Sequence, residues 1–276
     1  MAVANSIRTN PSSLTALRTL NEINRNADEI QNRVSTGLKV AGAVDDASNF
    51  AIAQGVRTEL RAWSAVTQGL RQAQGVLKVA IAAAEGTSDL LIAMKEKTVA
   101  ARNAGLTTEQ RQIIHDDYIE LYNQAQDLVE RQASFNGFNL VTITSTDYTV
   151  LTDIDGGSFT VAAQSINGQS LQFGVAGALD LTSLSNAAIA DGIVDTAQGL
   201  VANALGSFGA DYRRIESQIQ FIEEITDASK EGLGNIVDAD LARESAKLTS
   251  VQIQQQLSVQ TLGIANQRPQ TLLGLF

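Results

Sequence analysis

Between Pro11 and Pro269 the chain runs 257 residues without a proline, and no other feature constrains its fold so strongly. Proline is the residue that most reliably stops a helix, so long uninterrupted helices are permitted over nearly the whole chain. Only 5% of the residues are aromatic, while Ala, Leu, Ile, Val and Gln recur at helical spacing, as in rods and bundles. With 276 residues the chain can bury a sizeable core unaided. It has no Cys, which excludes a disulfide scaffold, a thiol nucleophile and Cys-built metal sites.

Helix signals follow in order. Asn10 is a candidate N-cap with Pro11 at the first helical position, and Leu14, Leu17, Leu20, Ile23, Ala27, Ile30 and Val34 form one apolar stripe at steps of three and four. After a break at residues 35–42, Asp45 or Asp46 can cap a helix whose stripe runs from Ile52 to Ala84 and whose pattern continues to about Arg102. At 1.5 Å per residue that helix is roughly 80 Å long, a rod rather than an element inside a globule. Thr107 and Gln110 form a capping box for a third helix that ends near Ser134 and Asn136-Gly137.

The character then changes. Residues 138–175 hold β-rich runs parted by Asp155-Gly156-Gly157 and Asn167-Gly168, which predict a small antiparallel sheet. In it Phe159, Val161 and Ala163, and Leu171, Phe173 and Val175, alternate toward the helices. Helical pattern returns near Leu184, runs to about Lys230, and resumes with Asp238 as the expected N-cap of the last helix. The fold class is therefore mainly α: a long antiparallel helical bundle or coiled-coil rod with a small antiparallel β-hairpin region inserted mid-chain, both termini lying together at one end.

Charge follows the same division. Twenty basic against 30 acidic residues give a net charge of −10, which argues against a nucleic-acid or anionic-membrane partner. Residues 141–200 carry six Asp and no Lys, Arg or Glu, whereas Leu248–Phe276 carries a single charge, Arg268. A helix so poor in charge is not an ordinary surface helix. In it Ala246, Ile253, Leu257 and Ile264 line one side, Leu241, Leu248 and Leu262 lie beside them, and Val251 and Val259 widen the band. The rest is largely Gln, Ser and Thr, which hydrogen-bond without the desolvation penalty of a buried ion. Such a helix is built for contact all round. It is expected to pair with the first helix in one coiled-coil-like hairpin and, with Leu272, Leu273, Leu275 and Phe276, to meet other copies of the chain. The alternative is a bundle closed within one subunit. A head-to-tail contact that does not close on itself makes a filament.

Catalytic readings find little support. His115, the only histidine, sits beside Asp116 and Asp117 and reads as solvated helix surface, since no nucleophile accompanies it. Glu223-Glu224 and Asp45-Asp46 read as helix surface and cap, and Gly232-x-Gly234 lacks the strand and third glycine of a nucleotide loop. No cofactor and no metal is expected. The N-terminal residues lack the basic start and apolar run of a cleaved signal peptide, and no stretch reaches the length of a membrane span.

At both ends the chain resembles bacterial flagellins. Asn24-Arg25-Asn26, Ile30 through Val40, Asp45-Asp46-Ala47-Ser48 and Phe50-Ala51-Ile52-Ala53 are similar to the family's N-terminal signature. Val237-Asp238-Ala239-Asp240, Glu244 through Leu248, Gln254-Gln255-Gln256-Leu257, Ile264-Ala265-Asn266-Gln267 and Leu272-Leu273 are similar to its C-terminal one. The resemblance covers roughly residues 1–140 and 185–276. It implies a terminal coiled-coil domain, 1–42 with 235–276, in the inner tube of a filament. It further implies a helical rod domain, 43–140 with 180–234, in an outer tube, and a small surface-facing β-rich segment, 141–179. The subunit contacts expected on this basis are Leu14, Leu17, Ile23, Ile30, Val34, Leu248, Val251, Ile253, Leu257, Leu262, Ile264, Leu272, Leu273 and Phe276. Resemblance also implies export unfolded by the flagellar type III apparatus, terminal segments that fold on assembly, an extracellular location, and several partners. These are other copies of the chain, an export chaperone on the C-terminal helix, and the filament cap and hook-junction proteins. At Leu91–Val99, Ala93 and Lys97 stand where some flagellins carry the Arg and Leu of an innate-immune receptor motif. A hook–filament junction protein and a surface glycan-binding homologue remain the alternative readings.

Overall fold

The computed structural model describes residues 10–273, with side chains as far as Gln267. Among the described residues there are five helices, α1 (Pro11–Thr36), α2 (Ala47–Ala101), α3 (Thr108–Asp127), α4 (Leu184–Val237) and α5 (Leu241–Leu273), and, between α3 and α4 in the chain, one hairpin, β1 (Tyr148–Leu151) and β2 (Ser158–Val161). By packing the chain divides into two units, Met1–Thr58 with Ala228–Phe276, and Glu59–Asp227.

In the first unit the helix boundaries follow local chemistry. The Asn10 side chain accepts from Ser13 N–H with Pro11 behind it, and α1 ends where Gly37 takes a left-handed φ of 73°. Asp46 starts α2 by accepting from Asn49 N–H at 3.0 Å. The expected cap Asp238 is corrected. α4 runs unbroken through its glycines to Val237, and Asp240 caps α5, its carboxylate accepting from Arg243 N–H at 3.1 Å. Asp238 instead bridges to Leu38, and the neighbouring bonds Lys39 N–H to Val237 O (2.7 Å) and Ala239 N–H to Gly37 O (2.9 Å) tie the two connections together. Extended backbone pairing here gives partners to polar groups that lie beyond the helix ends and have none within a helix. Val40, Ala53 and Val237 are buried beneath this crossing, with Leu38, Phe50, Leu233 and Ile236 packed around them.

The second unit has its own, larger core. Leu70, Leu77, Leu91 and Met94 of α2, Tyr118 of α3, Val161 of β2, and Val194, Val201, Phe208 and Ile222 of α4 are fully or almost fully buried. α2 and α4 run antiparallel across it, joined by Arg71–Glu223 at 3.2 Å near one end and by Lys95–Asp191 at 2.8 Å near the other. The second tie is a network. Asp191 accepts from Lys95, from the buried Thr98 hydroxyl (2.9 Å) and from Arg102 (2.6 Å), and Lys95 also reaches Asp195. The Arg111 guanidinium donates to the Ala101 and Asn103 carbonyls and closes the end of α2.

The capping box Thr107–Gln110 is present, with Gln110 N–H to Thr107 Oγ1 at 3.3 Å and Thr107 N–H to Gln110 Oε1 at 3.0 Å. α3 gives way to a π-helical turn, Leu128–Gln132, and Asn136 and Gly137, both with positive φ, reverse the chain between the paired Phe135 and Phe138.

The sheet is smaller than the sequence predicts. β1 and β2 pair antiparallel from Tyr148↔Val161 to Leu151↔Ser158 around the turn at 155–157, where Asp153 Oδ1 accepts from Asp155 and Gly157 N–H. Arg214 stacks over Phe159 at 4.3 Å, and Gln218 donates to the Thr152 carbonyl at 2.9 Å, so α4 holds the hairpin. No strands flank Asn167-Gly168. Asn167 Oδ1 accepts from Ser170 N–H and Phe173 N–H returns to Gly168 O, making compact turns that bury Leu171 and Phe173 and leave Val175 exposed. Alternating burial of two side chains needs only a turn of the right pitch, which is why the pattern reads as a strand.

Gly168 packs against α3. A Cβ there would strike the Tyr122 hydroxyl and the Gln126 amide, which bond each other at 2.5 Å. Gly168→Ala is expected to destabilise the second unit by about 1–3 kcal/mol through this overpacking, readable by urea unfolding.

Candidate functional site

The terminal helices α1 and α5 form an antiparallel pair, since Asn10 bonds Ala265, Ser13 bonds Asn266 and Asn24 bonds Gln255. Their seam repeats at steps of three and four. On α1 it runs through Ser13, Ala16, Leu20, Ile23, Ala27, Ile30 and Val34, and on α5 through Glu244, Leu248, Val251, Gln255, Ser258, Leu262 and Ala265. This is the 3.5-residue period of a coiled coil. Ile30, Val251, Ser258, Ala265 and Glu244 are buried, and the other seam residues are half-buried.

The apolar band expected on α5 is therefore two faces. Leu248, Val251 and Leu262 meet α1, together with Ile23, Ile30 and Val34. Ile253, Leu257 and Ile264 lie about 200° round the helix and remain 53%, 56% and 67% exposed. Leu14 and Leu17 are also exposed, beside the α1 seam. Leu272 and Leu273 fall where α5 is described by its backbone alone, and Phe276 lies outside the described residues.

A groove of about 630 Å³ runs along one side of the pair between Ala16, Thr19 and Ile23 of α1 and Gln254, Leu257 and Thr261 of α5. Asn10, expected only as a helix cap, also bonds across to α5, and Asn24, Gln255 and Ser258 were not expected as contacts between the two helices. The signal for Gln255 and Ser258 was the strict heptad spacing of 244, 248, 251, 255, 258, 262 and 265, hidden because three of those seven positions are polar.

Ion pairs lie along the edges of the pair. Glu29 bonds Arg33, and Lys247 bonds Glu244 at 2.6 Å. The Glu244 side chain is buried and its second oxygen has no partner. His115 is not the solvated side chain expected, because it is half-buried on α3 and its Nδ1 accepts from Leu181 N–H at 3.3 Å. Among the described residues no group of three or more His, Asp or Glu is placed to hold a metal ion, and no helix is long and apolar enough to cross a membrane.

Comparison with known proteins agrees with both ends of the chain. Residues 7–146 match the family model described as the bacterial flagellin N-terminal helical region, and residues 192–276 match the bacterial flagellin C-terminal helical region. Flagellin FljM of Caulobacter vibrioides is 37% identical over 275 residues, spanning 99% of this chain and 98% of the relative. Flagellin FljK of the same organism is 36% identical over 272 residues, with the same two shares. A flagellin of Brucella melitensis is 33% identical over 285 residues, covering 98% and 99%. In fold, the crystal structure of Bacillus cereus flagellin superposes with a TM-score of 0.50 at 21% identity, covering 56% of this chain and 88% of that one. A flagellar hook-associated protein from Vibrio parahaemolyticus, at 14% identity, superposes with a TM-score of 0.61 over 70% of this chain and all of that one.

A helical chain whose two ends close into one coiled coil and whose outer face is left apolar belongs to the self-assembling structural proteins, not the enzymes. Its terminal regions and near-full-length relatives place it in one family of that class: the chain belongs to the bacterial flagellins, the subunits of the flagellar filament.

Proposed function

We propose that this flagellin enters the filament through the faces of its terminal helices that the α1–α5 seam leaves uncovered. The observation that carries the proposal is the row Ile253, Leu257 and Ile264, exposed on a helix almost without charge. Contiguous exposed apolar rows at regular spacing mark protein–protein contacts, and scattered single residues do not. Leu14 and Leu17 extend the contact onto α1, and Leu272, Leu273 and Phe276 extend it along the chain. Ile23, Ile30, Val34, Leu248, Val251 and Leu262 act at one remove, by holding the hairpin in which those faces are presented.

In this reading residues 1–42 and 235–276 form the inner tube, 43–140 and 180–234 the outer tube, and 141–179 the outward surface. The acidic, Lys- and Arg-free stretch 141–200 supports an outward, solvated middle. Export through the flagellar type III route, a chaperone on α5, and the cap and hook-junction proteins complete the proposal; the charge-poor α5, a surface that needs cover before assembly, supports the chaperone.

Deleting residues 1–35 or 240–276 tests it. Each truncation is expected to abolish elongation from filament seeds, scored by negative-stain electron microscopy at high salt, which strengthens apolar burial. The core between α2, α3 and α4 in unit Glu59–Asp227 involves neither segment, so a soluble helical product should remain. Filaments built from either truncated chain would remove the terminal helices from the assembly contact.

A further inference from the structure

Helix α5 has two apolar stripes at heptad spacing on opposite sides, and α1 takes one of them. The stripe on α1 interrupts Leu248, Val251, Leu262 and Ala265 with Glu244, Gln255 and Ser258, and the outward stripe interrupts Ala246, Ile253, Leu257 and Ile264 with Ser250 and Gln260. With four apolar residues on each, apolar burial alone does not choose between them, and seating the outward stripe on α1 would hide the surface a second copy needs.

What distinguishes the two faces is hydrogen bonding. Asn10 Nδ2 donates to Ala265 O at 2.7 Å and Ser13 Oγ donates to Asn266 Oδ1 at 2.8 Å, both at one end of the pair. Gln255 Nε2 donates to Asn24 Oδ1 at 2.9 Å in its middle, the one bond there between two side chains that are both partly buried among those described. With α5 turned to its other face, Leu257 would lie where Gln255 now lies, and the Asn24 amide would be covered by hydrocarbon without a partner. A slip of one heptad along the same face also separates the two amides. A side-chain pair that can bond in only one arrangement selects face and register, because every other arrangement separates the two groups.

We propose that Asn24 and Gln255 are positioning residues that select the face and register of α5 on α1, and so keep Ile253, Leu257 and Ile264 turned outward for a second copy. This rests on the assembly reading above. Neither amide itself contacts the second copy.

The test uses the full chain, which has no native cysteine, carrying Ser13→Cys and Asn266→Cys. A short bis-thiol cross-linker between them reports the present face and register, and elongation from seeds is followed in the same samples. Asn24→Leu removes the penalty on the wrong face and leaves Gln255 unpaired on the right one. It is expected to keep the helical signal by circular dichroism while cross-linking and elongation each fall about tenfold, the equilibrium change that one lost seam preference of this kind produces. Exchanging the amides, Asn24→Gln with Gln255→Asn, preserves a pair and is expected to restore both readouts. Asn24→Leu that cross-links and elongates like the parent overturns the proposal, and so does a fall in elongation with cross-linking unchanged. Should Asn24→Leu lose its helical signal, the exchanged pair decides: restored cross-linking supports the selector, and its absence refutes it. Failure of the assembly reading looks different, since Leu257→Asp in the reporter chain would then elongate normally whatever the cross-linking at 13 and 266 shows.

Discussion

Leu257→Asp is expected to leave the free subunit as stable as before and to stop filament growth from seeds. Leu257 is 56% exposed, outside the α1 seam at the rim of the groove beside it, so in one copy the carboxylate stays in water. Its effect there is limited to helix propensity and a little lost burial, about 0.5 kcal/mol. In an apolar contact with a second copy the same carboxylate is desolvated without a partner, a cost of at least several kcal/mol. At about 1.4 kcal/mol per factor of ten, subunit affinity for a filament end falls by two orders of magnitude or more. Because every subunit repeats the contact, elongation should be undetectable at concentrations where the parent chain polymerises. Seeded growth by electron microscopy, with circular dichroism of the monomer as control, reads both parts. Normal growth would remove Leu257 from the contact, and an unfolded monomer would mean that it serves the subunit itself.

Asp191→Ala is expected to destabilise the second unit by about 1–3 kcal/mol, the cost of leaving the partners of a largely buried acceptor unsatisfied. The Asp191 side chain is only 12% exposed, and its removal leaves the Thr98 hydroxyl and part of the Lys95 and Arg102 charge without their acceptor. Burial by itself would raise the Asp191 pKa, but the bonds from Lys95 and Thr98 and the charges of Lys95 and Arg102 outweigh it and hold the carboxyl below its ordinary value. The sign of the pH dependence follows. A carboxyl whose pKa is lower folded than unfolded contributes its full stability above the unfolded value, about 3.9, and loses it as pH falls through the lower folded value. Between about pH 5 and pH 2 the parent chain should therefore lose stability more steeply than Asp191→Asn, which cannot titrate there. Urea midpoints at a series of pH values measure the difference, and parallel curves would show that the network is not a source of the acid sensitivity.

His115 shows how much a local reading of side chains leaves out. Beside Asp116 and Asp117 on a helix it reads as solvated, yet it accepts from Leu181 N–H, a partner 66 positions away. The Asn167-Gly168 turn failed for a related reason. Leu171 and Phe173 are spaced for a strand, but Gly168 allows the chain to close against Tyr122 and Gln126 and wind into turns. The motifs that held, the Thr107–Gln110 capping box and the Asn10-Pro11 helix start, are those whose groups all lie within one helical turn.

From the sequence alone one can read that the chain is a set of long helices, that its middle is acidic and its ends nearly uncharged, and that both ends carry flagellin signatures. Which of the two stripes of α5 meets α1 was decided only in the folded hairpin. Periodicity is a property of one helix, and it shows that an apolar face exists without showing what covers it. The choice between Leu248, Val251 and Leu262 on one side and Ile253, Leu257 and Ile264 on the other depends on whether Asn24 finds Gln255, two residues 231 positions apart, and no repeat within a single helix contains that pairing.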